Sequence, residues 1–221
     1  LLYLALMAGD GSEKEGIADM ITVGTVYSGY WVVSAYWSHA YAKIATCNNF
    51  MDHIEAIDLD ASIKAMYKAE IRTLRAYEYL NLALYYGDVP LVTKVLSLDE
   101  ANKVKRTAKA DVWSFCETEL KEASAALPNT RSSSEVGRMT SGASLALLGR
   151  LQMAEKKWSD AVATYKKIID QGVYEIDSRY NELFTETGED SKEIIMRSCY
   201  VEDDYSHVML QYLYPETWGG W

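Results

Sequence analysis

No apolar run in this 221-residue chain approaches the ~20 residues that a helix needs to cross a bilayer. The opening Leu1 to Leu6 has no initiator Met, basic flank or cleavage site, so it does not read as a secretory signal. With Trp218-Gly219-Gly220-Trp221 at the other end, the chain reads as a piece of a longer protein. Proline is scarce, at three residues, which leaves long helices free to run. Cysteine is equally scarce: Cys47, Cys116 and Cys199 are odd in number and far apart, which suits neither a disulfide framework nor a zinc site. Cys116 falls on an apolar helix face and reads as a small buried thiol. His39, His53 and His207 make no HExxH and no metal-spaced pair, so no metal ligand is assigned. Cations are in deficit. With 22 Lys and Arg against 32 Asp and Glu, the net charge is −10, which disfavours nucleic acid as a partner and electrostatic attachment to an anionic membrane. No GxSxG, Walker A, GxGxxG or EF-hand loop occurs, so no cofactor is expected. Asp58-Leu59-Asp60 starts like a calcium loop, but no Gly or closing Glu follows in register, and it reads as a helix cap.

What the chain does have is an unusual aromatic set, with 17 Tyr and 6 Trp against 3 Phe. Tyr and Trp combine a flat apolar face with a polar edge, which suits a surface that stays wet and still binds. Helical spacing dominates the middle of the sequence. Trp37, Tyr41, Ile44, Asn48 and Met51 follow one stripe, in a helix expected to start near Val33 after a Gly-containing loop over 9–34. Asp60 stands at an N-cap position for a helix carrying Ile63, Met66, Tyr67, Ile71, Leu74 and Tyr77, which Gly87 stops. Thr107 is expected to cap the next, with Val112, Cys116, Leu120, Ala123 and Leu127 on one face before Pro128. Thr140 is expected to cap a small-residue helix whose partner, Trp158–Gln171, ends at Gly172. Those two make an αα-hairpin of about one tetratricopeptide repeat. Residues 61–86 and 108–127 give a second, irregular hairpin. Val173–Ile176 and Glu193–Met196 read as short extended segments.

Arg72-Thr-Leu-Arg75-Ala76-Tyr77 followed by Tyr86-Gly87-Asp88-Val89-Pro90-Leu91 resembles the SusD/RagB family of outer-membrane nutrient-binding lipoproteins. The resemblance continues in order through Trp37-x3-Tyr41-x2-Ile44-x3-Asn48, Arg106-Thr107, Leu120 to Pro128, Gly137-Arg138-Met-Thr140, Trp158 to Tyr174, Asn181-Glu-Leu183-Phe184 and Ser191-Lys-Glu193-Ile194-Ile195. It implies a mainly α fold: tetratricopeptide-like hairpins in an α-α superhelix, with long loops and a few short strands. It also implies one SusD-like domain over 1–221, with a loop-rich aromatic region at 1–36, a helical core at 37–172 and a loop-rich segment at 173–221. The implied activity is non-catalytic capture of a glycan or oligosaccharide, or less often a peptide, at the extracellular face of the outer membrane. A SusC-like TonB-dependent transporter would be the partner. Contact with the membrane would run only through a lipid anchor outside this sequence.

Binding residues do not follow from the family motifs, so the site is chosen on chemistry. Trp and Tyr faces stack on the C–H faces of sugar rings. Tyr27, Tyr30 and Trp31 in one Gly-containing stretch, and Trp218 and Trp221 in another, are the expected ligand-binding residues. No catalytic residue is assigned. Glu186, Glu189 and Asp190 lie together in a polar loop and read as solvated charge rather than the acid–nucleophile pair of a glycoside hydrolase. The alternatives are a peptide-capturing or purely scaffolding lid of a transporter and, last of the three, a glycoside hydrolase.

Overall fold

Asp60 has the short oxygen-bearing side chain that an N-cap requires, and its carboxylate accepts from the Ser62 N–H at 2.7 Å. In the computed structural model, which describes residues 24–27 and 29–200, this cap opens the longest helix. The 26-residue α2 (Ala61–Tyr86) ends where Gly87 takes a φ of +74°. That left-handed turn costs a glycine little and a Cβ-bearing residue more. Before it lies α1 (Trp31–His53), which closes in a 3-10 turn at Ile54–Ala56. After it come the single-turn α3 (Leu98–Ala101), α4 (Lys109–Ala126), α5 (Ser141–Ala154) and α6 (Trp158–Asp170). Thr140 caps α5 through the Ala143 N–H at 3.1 Å, as its sequence position implies. Gly172, at φ +62°, follows the last helix.

Each long helix packs on the next: α1 on α2, α2 on α4, α4 on α5 and α5 on α6. The stack buries Ala76, Leu80 and Ala83 of α2 against Val112, Cys116 and Leu120 of α4, with Leu147, Leu148 and Leu151 of α5 in the same core. Small residues on α5 let its neighbours approach. Ser144, fully buried, donates to the Leu120 carbonyl at 3.0 Å, and the Thr73 hydroxyl reaches Ser144 at 3.4 Å. Gly149 lies under the Tyr165 ring of α6.

Between α2 and α3 the chain turns back as an extended strap over residues 89–95. An extended segment without a sheet must find partners for its peptide groups elsewhere. One backbone bridge pairs Val89 with Thr107; side chains supply several more bonds. The Tyr79 hydroxyl donates to the Val92 carbonyl and accepts from the Val92 N–H, both at 2.8 Å. Tyr41 donates to Pro90 O at 2.7 Å, and Asn48 Nδ2 to Val92 O at 2.9 Å. Arg75 donates to Thr93 O at 3.3 Å, and Val95 N–H to Asp52. Arg75 is itself buried, held by Glu119 (Nη2 to Oε2, 2.5 Å) and by Asn48 Oδ1 at 2.9 Å, with the Phe115 ring 5.3 Å away. Arg75, Tyr79, Tyr41 and Asn48 therefore hold the strap.

Two sequence expectations are corrected. Thr107 does not cap α4: the N-cap position is Ala108, which has no capping side chain, and Thr107 stands one residue before it, bridged to Val89. Asp88 does the capping instead, its carboxylate accepting from the Lys109 N–H at 2.9 Å from 21 residues upstream. The few short strands that the resemblance implies are absent among the described residues. Near the segments read as extended, 173–176 and 193–196, the backbone bond Glu175 N–H to Lys192 O at 3.4 Å stands alone, and a ladder needs more than one.

A charge cluster ties α4 to the α5–α6 turn. Burial pushes the Glu117 carboxyl up, but Lys121 and Lys157, each 2.8 Å away, outweigh it and hold its pKa at about 2. A carboxyl depressed in the folded state stabilises it above its ordinary value of 4.5 and loses that contribution as pH falls towards 2. Thermal midpoints measured across that interval should fall, and Glu117→Gln should flatten the dependence. An equal slope in the variant would assign the acid response to other carboxylates.

Candidate functional site

Helix α1 begins where α2 ends, and the Tyr86 hydroxyl joins them by donating to Val33 O at 2.7 Å. Aromatic residues crowd both helix ends, so they gather at this end of the pair. Tyr36 of α1 stacks on Tyr86, with centroids 6.3 Å apart and planes inclined by 21°. It also meets Tyr85 edge to face at 5.7 Å. Trp37 sets its ring against Tyr86 at 5.2 Å and Tyr41 at 4.9 Å. These geometries match the ring quadrupole's preference for offset and edge contacts, and they fix the rings before any ligand arrives. Burial, and then the charge of Glu78, push the Tyr36 phenol well above its ordinary pKa. Tyr36 is therefore a neutral phenol at working pH.

Of the residues expected to bind, Tyr27 and Trp31 stay open, at 61% and 53% exposure, while Tyr30 is 7% exposed. The stretch is not a free loop. Tyr30 N–H closes a turn on Tyr27 O at 2.9 Å, and Trp31 is the first residue of α1. Tyr30 places its ring 6.3 Å from Tyr27 and 6.5 Å from Trp31, which makes it a support for its neighbours, with no open face to offer. Trp218 and Trp221 lie outside the described residues. The sequence reading missed Tyr85, which is 46% exposed at the same helix end. As a tyrosine in a long amphipathic helix it passes for a core residue, yet the adjacent Tyr86 is the one that packs on the core, and Tyr85 lies on the more open side of α2.

A second concavity, of about 300 Å³, opens between residues 129–140 and 189–197. Two of its three arginines are committed elsewhere. Arg131 pairs with Glu70 and donates to Met139 O at 2.7 Å. Arg138 pairs with Glu70 at 2.7 Å and Glu135 at 2.6 Å, and lies 4.9 Å over the Tyr67 ring. They hold the 129–140 loop to α2.

Glu186, Glu189 and Asp190 are exposed. Among the described residues, the carboxyls that are clearly displaced are held down: Glu100 at about 2 by Lys94 and Ser97, and Asp177 by Arg179. A glycosidase's general acid must instead be pushed up. No helix among the described residues is long and apolar enough to cross a membrane.

Comparison with known proteins gives a consistent picture. The family model SusD-like_3, described as starch-binding and associating with the outer membrane, matches residues 9–153. The SusD-like protein P25 of Formosa agariphila is 27% identical over 198 residues, covering 88% of this chain and 36% of the relative. A SusD-like carbohydrate-binding protein from Bacteroides fragilis superposes with a TM-score of 0.76 at 36% identity, over 81% of this chain and 35% of that structure. A laminarin-binding SusD-like protein does so with a TM-score of 0.71 at 30% identity, over 73% and 36% of the two chains. The chain thus spans about a third of the length of these relatives.

Proposed function

This chain belongs to the SusD-like family, described as starch-binding and outer-membrane-associated, and from that premise we propose that it captures a glycan without transforming it. The observation that carries this reading is the aromatic end of the α1–α2 pair. There Tyr27, Trp31 and Tyr85 are exposed while Tyr30, Tyr36 and Tyr86 brace the rings from beneath. A pyranose presents axial C–H groups on its faces, and a fixed aromatic ring meets such a face with little entropy left to lose. The sequence reading also places Trp218 and Trp221 on the ligand. In this proposal the protein works at the extracellular side of the outer membrane, held there by a lipid anchor. It passes its ligand to a SusC-like TonB-dependent barrel, and the helical stack is the rigid frame.

Each stacked ring contributes on the order of 1 kcal/mol, and 1.4 kcal/mol is tenfold in affinity. Trp31→Ala and Tyr85→Ala should therefore each weaken binding about three- to tenfold. Calorimetry of the full chain with laminarin oligosaccharides, beside a glycan array, measures this. Absence of any saccharide binding by the folded chain would count against the reading. Unchanged affinity in both variants would move the site elsewhere. Co-purification with a transporter barrel but no glycan affinity would favour the scaffold or peptide-capturing alternative.

A further inference from the structure

The helical stack carries a groove that the aromatic end does not involve. It runs between α4 and α6 with α5 as its floor, and holds about 490 Å³. Leu145 and Leu148 form the base, and Ser124 lines one wall. Lys121 stands on the α4 rim and Lys167 on the α6 rim, and no Asp or Glu lines the space. This is a local inversion of charge in a chain that carries ten more acids than bases. Lys121 is 59% exposed on its pair with Glu117, a carboxylate that Lys157 also holds at 2.8 Å. Lys167 has no ion pair among the described residues. On the same wall Gln171 spends its amide Nε2 on Ser141 Oγ at 3.2 Å, while its buried Oε1 accepts no hydrogen bond among the described residues. An orphaned acceptor costs about 1–3 kcal/mol, a penalty that an incoming N–H relieves once the amide turns towards it.

We propose that this groove is a docking site for an acidic, extended peptide segment of a partner protein, seating an apolar side chain on Leu145 and Leu148 between carboxylates that pair with Lys121 and Lys167. Charge complementarity selects the occupant. A neutral glycan has no charge for the two lysines to pair with, and a basic peptide is repelled by both. Gln171 Oε1 meets a peptide N–H, a group that an extended backbone presents along its length. The site is independent of the glycan reading, because none of its residues belongs to the aromatic end.

The test uses the full chain and two fluorescein-labelled hexapeptides, one alternating Glu and Leu and the other alternating Lys and Leu, followed by fluorescence anisotropy. The Glu–Leu peptide should bind and the Lys–Leu peptide should not. Raising the salt should weaken the binding, since exposed charge pairs are screened. Lys121→Glu combined with Lys167→Glu should lower affinity at least tenfold, whereas Lys105→Glu, an exposed control on the connection before α4, should leave it within twofold. Both altered lysines are exposed, and because Lys121 also pairs with Glu117 a modest fall in the melting midpoint with an intact cooperative transition should accompany the loss. Equal binding of the two peptides, no binding of the acidic one, or an unaffected double variant would each overturn the proposal. Glycan affinity should be the same in the double variant and the parent.

Discussion

Arg75→Ala is expected to destabilise the fold by about 3–5 kcal/mol, the range for removing one member of a buried ion pair. A typical domain has 5–15 kcal/mol in total, so the variant should sit near the threshold for folding. The guanidinium donates to Glu119, Asn48 Oδ1 and Thr93 O. Its removal leaves the Glu119 carboxylate buried with only Arg72 Nε, at 3.8 Å, nearby. Most of the loss comes from that stranded charge and less from the contacts as such. It follows that Arg75→Met combined with Glu119→Leu should recover much of the deficit, because two apolar residues of similar volume need no partner. Urea unfolding of the three proteins decides between these accounts. If the double variant is as unstable as Arg75→Ala, the strap contact at Thr93 matters more than the ion pair.

Gly149→Val is the second large effect, at about 1–3 kcal/mol destabilising. A Cβ at position 149 would stand 2.5 Å from Cε1 and Cζ of Tyr165, well inside van der Waals contact, so α5 and α6 must separate or the ring must leave. Replacing a mid-helix glycine usually helps the helix. Valine is only a few tenths of a kcal/mol better than glycine by propensity, too little to offset the overlap. Tyr165→Ala should be milder, and the double variant should be more stable than the sum of the two losses, because removing the ring frees the space that the valine needs. Such coupling between contacting residues runs to 0.5–3 kcal/mol. Simple additivity in thermal melts would place the steric conflict elsewhere.

The sequence shows what local chemistry fixes. Asp60 and Thr140 cap helices within three residues of themselves, and Gly87 and Gly172 end them by their own φ. The stripe through Val112, Cys116, Leu120 and Ala123 is buried as its spacing implies. Where partners are distant the reading fails. Thr107 looks like a cap, but the cap is Asp88, brought there by a strap whose course no periodicity encodes. Tyr30 and Trp31 are adjacent and chemically alike, yet one is covered and the other open. Tyr85 carries the same ambiguity: it is open while the adjacent Tyr86 packs on the core. Arg75 is conspicuous within its motif, but its role emerges only when Asn48 from α1 and Glu119 from α4 meet it.

The strap has a further consequence. Its contacts from Tyr79, Tyr41, Asn48 and Arg75 all reach peptide N–H or C=O groups, which are the same whatever residue carries them. The four anchors read the shape of the segment and ignore its letters. The exposed side chains of Thr93 and Val95 make none of these anchoring contacts. They form a stretch of surface that can be rewritten freely while the path beneath it stays the same.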